Sequence, residues 1–217
     1  MPHPTPASSP GGAVFCRVEG ILTTRTRAFA LAWCIGNSQR LRHRIGRIAQ
    51  FAAEDWLGAR HRFSALRGMS KDRLTILGAE FCHRFIIPEV SAKHTQLLAQ
   101  ACLEQSRLVL ISDHVDIIIA PLARLLGAAH VVCNRLEYQN GFATGRLREP
   151  IVKAAISLAA LETLAQEEHI DLSKSVAYGK SGPDRVLLAK VGKPCAVRPD
   201  WRLRQVALRR AWPVVDS

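Results

Sequence analysis

From residue 107 onward, short apolar runs alternate with stretches in which apolar residues recur every three or four positions. "RLVLIS" (107–112), "HVVC" (130–133), "SVAYGK" (175–180) and "PCAV" (194–197) are runs of the first kind and predict buried strands. Between them, "VDIIIAPLARLLG" (115–127) reads as a helix stopped by Gly127. "ISLAALETLAQEEH" (156–169) sets Leu158, Leu161 and Leu164 on one helical face. "PDRVLLAKVG" (183–192) has Pro183 at its start and Gly192 at its end, and "DWRLRQVALRRAW" (200–212) has Asp200 as N-cap. "LEYQNGFATGRL" (136–147) alternates around Asn140-Gly141, the dipeptide that favours a two-residue hairpin turn. Nearer the N-terminus, "AVFCRVEGIL" (13–22) reads as a buried strand running into a glycine turn. Strands alternating with helices over short connections predict an α/β fold, a Rossmann-like parallel sheet with helices on both faces.

Residues 25–95 follow a different rhythm. Leu41, Ile45, Ile48 and Ala52 fall at helical spacing, with Arg40, Arg42, Arg44 and Arg47 on the opposite face, and "KDRLTILGAEFCHRFI" (71–86) is helical too. The reading is a helical cap inserted into an α/β core made of residues 13–24 and 96–217, after a disordered tail at 1–12. In an open parallel sheet, ligands bind at the carboxyl ends of the strands where the crossover direction reverses. That rule selects Arg17–Gly20, Ser112–His114 and Gly179–Asp184 as segments converging on one pocket, with the insert as its lid.

Composition narrows the classes. The chain has 217 residues, 48% hydrophobic and 22% charged, which is enough to bury a core. Charged residues such as Asp113, Asp116 and Arg124 interrupt every apolar run short of a membrane span. "MPHPTPASSPGG" lacks a basic segment followed by an apolar one, so no secretory leader is expected and the cytoplasm is the default. Six scattered cysteines without a C-x-x-C pair read as buried thiols. A net charge of +12 invites a nucleic-acid reading, against which stand 6% aromatic residues and no zinc-finger or RNA-recognition signature. The Arg40–Arg47 face leaves open a second use, as a basic surface for acidic membrane or nucleic acid.

The three pocket segments, in this order and with a helical insert after the first, resemble the haloacid dehalogenase superfamily, in its phosphoserine-phosphatase-like branch. "VEGIL" stands against the family's D-x-D-G-T-L. "LVLISDHVD" through the following hairpin stands against its second motif, and "IDLSKSVAYGKSGPD" against its fourth. The resemblance implies an aspartate nucleophile that becomes phosphorylated, a second aspartate as acid/base, a Ser or Thr on the phosphoryl oxygens, a lysine, and carboxylates holding Mg²⁺.

Carried over by position, Arg17 takes the nucleophile's place, Glu19 the acid/base and Gly20 the turn, while Ser112 is retained. Ser157 takes the lysine's place, with Lys153 a helical turn earlier. Lys180 replaces the first carboxylate of the fourth motif and Asp184 keeps a later one. A guanidinium stays protonated and has no lone pair with which to attack phosphorus. Cys16 is no substitute, because neighbouring strand residues face opposite ways. With Arg17 and Lys180 cationic, a divalent ion would meet like charges, each repulsion costing about 1–4 kcal/mol, so Mg²⁺ and any other cofactor are expected to be absent.

Two arrangements then stay open: an internal ion-pair cluster of Arg17 and Lys180 with Glu19 and Asp184, or a cationic pocket for phosphate or carboxylate. The expected function is a phosphatase-fold protein without Mg²⁺-dependent activity that binds a small anion or a protein partner. The alternative is an active hydrolase with an unusual catalytic set. Asp113 and Asp116 read as helix N-terminal residues, and His114 as a cap or surface residue with the pocket as its other reading. Trp33 and Trp56 read as cap core.

Overall fold

A computed structural model describes residues 11–37, 63–104, 107–149, 152, 156 and 158–216. The tail at 1–10, the face built on Arg40–Arg47, Trp56, Lys153 and Ser157 lie outside the described residues. The strands form one seven-stranded sheet in the order β4-β3-β2-β1-β5-β6-β7. They are β1 (Val14–Arg17), β2 (Leu108–Val115), β3 (His130–Gln139), β4 (Phe142–Arg148), β5 (Val176–Gly179), β6 (Lys193–Val197) and β7 (Val214–Val215). Every neighbouring pair is parallel except the β3–β4 hairpin. Asn140 and Gly141 both take positive φ at its turn, 50° and 81°, as a tight hairpin requires.

The helices are α1 (Arg27–Gly36), α2 (Lys71–Phe81), α3 (Ala92–Glu104), α4 (Asp116–Leu125), α5 (Leu158–Glu167), α6 (Arg185–Leu188) and α7 (Trp201–Arg209). The predicted caps are present. Asp200 accepts from the Leu203 N–H, and α4 runs into Gly127 at φ 64°. Three differences stand out. Strand β2 continues three residues past Ser112, Pro183 lies in a 3₁₀ turn (Gly182–Asp184) that precedes a single-turn α6, and β7 was not read from the sequence. A two-residue strand carries too little periodicity to announce itself; its ladder to β6 makes it one.

Strand alternation divides the core into two layers. Val14 and Cys16 of β1, with Leu108 and Leu110 of β2, pack beneath residues of α1, α2 and α4. Ala13, Phe15, Val109 and Ile111 point the other way, toward Leu161 of α5, Leu187 and Leu188 of α6, and Leu203 of α7. Because both faces are covered, β1 is apolar at every position up to Arg17. Among the described residues no helix is long and apolar enough to cross a membrane.

Among the ties between the helices that follow β1 and the core, two carry testable energetics. Glu89 accepts hydrogen bonds from Thr23 Oγ1 (2.9 Å), Thr24 N (2.7 Å) and Thr24 Oγ1 (3.1 Å), and pairs with Arg25 Nε at 2.6 Å. Gly78 of α2 lies against α4 so closely that a Cβ there would sit 2.6 Å from the Ile117 carbonyl oxygen. Gly78→Ala should therefore lose about 1–2 kcal/mol in urea unfolding, overpacking outweighing the gain in helix propensity.

Glu89 supplies a pH test. Burial pushes its carboxyl up, but the Thr24 and Thr23 donors and the Arg25 charge outweigh it and hold the group below its ordinary 4.5. The stabilisation is complete above pH 4.5 and lost as pH falls through the depressed value. Wild type should exceed Glu89→Gln in stability at pH 6, and the gap should close in urea titrations below pH 4.5.

Candidate functional site

The polarity of the ladders places the three expected segments side by side. β1 lies between β2 and β5, so the chain turns to opposite sides of β1 at its carboxyl end. After Arg17 the chain folds into a tight loop in which Leu22 N and Thr23 N both donate to the Val18 carbonyl and Gly20 N donates to the Thr23 carbonyl (2.6 Å). Gly20 has φ +81°, which excludes a side chain there. The aliphatic chain of Lys180 lies over it, with Cδ 2.5 Å from where a Cβ would stand.

Arg17 is 5% exposed, and its guanidinium reaches three carboxylates contributed by three strand ends. Nε lies 2.9 Å from Glu19 Oε2, NH2 3.9 Å from Asp113 Oδ2, and NH1 3.8 Å from Asp184 Oδ1. Two of the carboxylates are anchored by other donors. Ser112 donates its hydroxyl to Glu19 Oε1, which also accepts from Asp113 N (3.2 Å). Asp184 Oδ2 accepts from Lys180 N, Ser181 N and Ser181 Oγ, each at 2.9 Å. Asn134, wholly buried, donates its amide to the carbonyls of Asp113 (2.6 Å) and Val152 (2.8 Å), pinning the end of β2 to its neighbour.

The structure thus brings Arg17, Glu19, Gly20, Ser112, Lys180 and Asp184 together; Lys153 and Ser157 lie outside the described residues. Of the two arrangements left open, Arg17 forms the ion-pair cluster, and Asp113 joins Glu19 and Asp184 as a third carboxylate. Asp113 is the residue missed. Its helical-cap reading fails because β2 extends to Val115 and carries it to the site. His114 is corrected in the same way: it is 0% exposed, and its Nε2 lies 3.1 Å from the Arg25 carbonyl. Cys16 behaves as alternation requires, buried in the opposite layer, and burial raises its thiol pKa far above the usual range, so no thiolate forms.

A family model for haloacid dehalogenase-like hydrolases matches residues 21–189, more than three quarters of the chain, beginning just past Gly20. The chain belongs to the haloacid dehalogenase-like hydrolase family. Over 151 residues it is 33% identical to the inhibition of morphological differentiation protein of Streptomyces azureus, covering 69% of this chain and 54% of that protein. Over 160 residues it is 31% identical to phosphoserine phosphatase SerB1 of Mycobacterium tuberculosis, covering 73% and 52%. The chain spans about half the length of these curated relatives. The fold matches a crystal structure of phosphoserine phosphatase in apo form with TM-score 0.65 at 17% identity, over 95% of this chain and 94% of that one.

The haloacid dehalogenase-like family implies magnesium, and the residues that the sequence resemblance sets at its magnesium positions are ill suited to it. Arg17 and Lys180 are cationic, and the remaining carboxylate, Asp184, has one oxygen taken by three donors and the other facing the guanidinium. A different set has the chemistry for a cation. Glu19, Asp113 and His114 each bring one ligand atom within 4.8 Å of the others.

The carboxylates also make Arg17 structurally costly to lose. Arg17→Met should reduce stability by about 3 kcal/mol in urea unfolding, because it strands a buried Asp184 beside two partly buried carboxylates. Asp113→Asn, whose pair with Arg17 is long and partly hydrated, should cost about 1 kcal/mol or less.

Proposed function

We propose that this chain is a phosphatase-fold protein that does not carry out Mg²⁺-dependent aspartyl-phosphate hydrolysis and acts by binding, its partner a small anion or a protein. What supports the reading is Arg17, which the sequence resemblance sets at the nucleophile's position and whose guanidinium is held by Glu19, Asp113 and Asp184. Arginine offers no lone pair for attack on phosphorus. An incoming phosphate or carboxylate would exchange with the two long pairs, at 3.8 and 3.9 Å, before the 2.9 Å pair to Glu19. A cytoplasmic setting belongs to this proposal, supported by six cysteines that are all free thiols.

A second reading, an active hydrolase, draws on the relatives named as phosphatases and on the set Glu19, Asp113 and His114. Here Glu19, in contact with Ser112, would serve as base toward a water. The names of the relatives speak more directly for this reading; the nucleophile position speaks for the first.

Purified protein assayed on p-nitrophenyl phosphate and phosphoserine, with and without Mg²⁺, separates them. The expected result is no turnover above buffer, with a thermal shift from inorganic phosphate that does not need Mg²⁺ and disappears in Arg17→Gln. Turnover lost in Glu19→Gln would overturn the proposal in favour of the hydrolase.

A further inference from the structure

We infer that Glu19, Asp113 and His114 form a binding site for a borderline divalent cation of the zinc or manganese class, placed beside the family's magnesium position and opposed by Arg17. One ligand atom from each residue falls within 4.8 Å of the other two, so small side-chain movements would bring all three within bonding distance of a single ion. A second observation comes from hydrogen bonding. His114 is wholly buried, and its Nε2 faces the Arg25 carbonyl, which can only accept, so Nε2 carries the proton. In the neutral ring Nδ1 then presents a lone pair, and it has no hydrogen-bond partner. Asp113 Oδ1 is likewise enclosed without a hydrogen-bond partner. Buried acceptors left this way are uncommon, and an imidazole that donates one N–H to a backbone carbonyl while offering its other nitrogen has the arrangement of a metal ligand.

The donor set points to the class of ion. One imidazole with two carboxylates suits Zn²⁺, Mn²⁺ or Co²⁺, whereas Mg²⁺ prefers an octahedron of oxygens. Arg17 shares Glu19 and Asp113 with the site, so guanidinium and ion compete for the same oxygens. Wild-type affinity is therefore held down, and removing the arginine's charge raises it. The inference concerns binding and does not depend on whether phosphate is hydrolysed.

The test is calorimetric titration of the metal-free full chain with Zn²⁺, Mn²⁺ and Mg²⁺, together with Co²⁺ absorption. The expected result is one Zn²⁺ or Mn²⁺ per chain and no Mg²⁺. Affinity should fall about tenfold or more in Asp113→Asn and His114→Gln, and rise about tenfold or more in Arg17→Gln. Co²⁺ should show ligand-field bands without thiolate charge transfer, separating this site from the cysteines. Because His114 is buried, Asp113→Asn is the variant that keeps the test open if His114→Gln does not fold. Zn²⁺ should also raise the melting temperature of Arg17→Gln more than that of wild type. Absence of binding to both wild type and Arg17→Gln, or binding indifferent to Asp113→Asn, would overturn the inference.

Discussion

An arginine at the carboxyl end of a central parallel strand has to find carboxylates there or leave its charge buried and uncompensated. Arg17 finds Glu19 on its own loop, Asp113 at the end of the neighbouring strand β2 and Asp184 in the turn after β5. Those three contacts tie together the three strand ends that meet where the sheet reverses its winding. Around them the anchoring is redundant: Ser112 on Glu19, three donors on Asp184, and Asn134 on the carbonyl of Asp113. Removing the arginine would leave all of that scaffolding converging on like charges.

The same cluster shows how this haloacid dehalogenase-like chain holds a buried arginine at the meeting point of three strand ends. The fold gathers carboxylates at this corner, and the gathering needs a cation to be tolerable. In this chain a cation is covalently present, on β1. One guanidinium faces all three carboxylates, closely for Glu19 and at 3.8 and 3.9 Å for Asp184 and Asp113. Unpartnered acceptors on Asp113 and His114 leave the site able to attract a further positive charge at its edge.

Much of the architecture was legible because it rests on periodicity. The alternating runs locate strands β1 to β6, Asn140-Gly141 marks the hairpin, and Asp200 marks a helix start whose side-chain cap is present. The fold family was legible from spaced motifs, and the family match over residues 21–189 bears it out. Strand β7 was not legible, because two residues carry no period and acquire their structure from the edge of β6. The extent of β2 was misread for a related reason: "SDHVD" has the polarity of a turn, and only pairing with β3, through Val115 and Asn134, draws it into the sheet.

The amino-acid sequence by itself determined which residue types reach the site: the arginine at 17, the lysine at 180, the serine at 112 and the aspartate at 184 follow from strand ends and topology alone. It also determined that Cys16 faces away, since alternation is a local property of any strand. Only the tertiary structure decided the balance of charge, because that depends on how many carboxylates lie within about 4 Å of one guanidinium, a distance between segments a hundred residues apart. Three extra residues of strand carried Asp113 and His114 to the site, and with them the ion-pair cluster around Arg17 gained a third carboxylate.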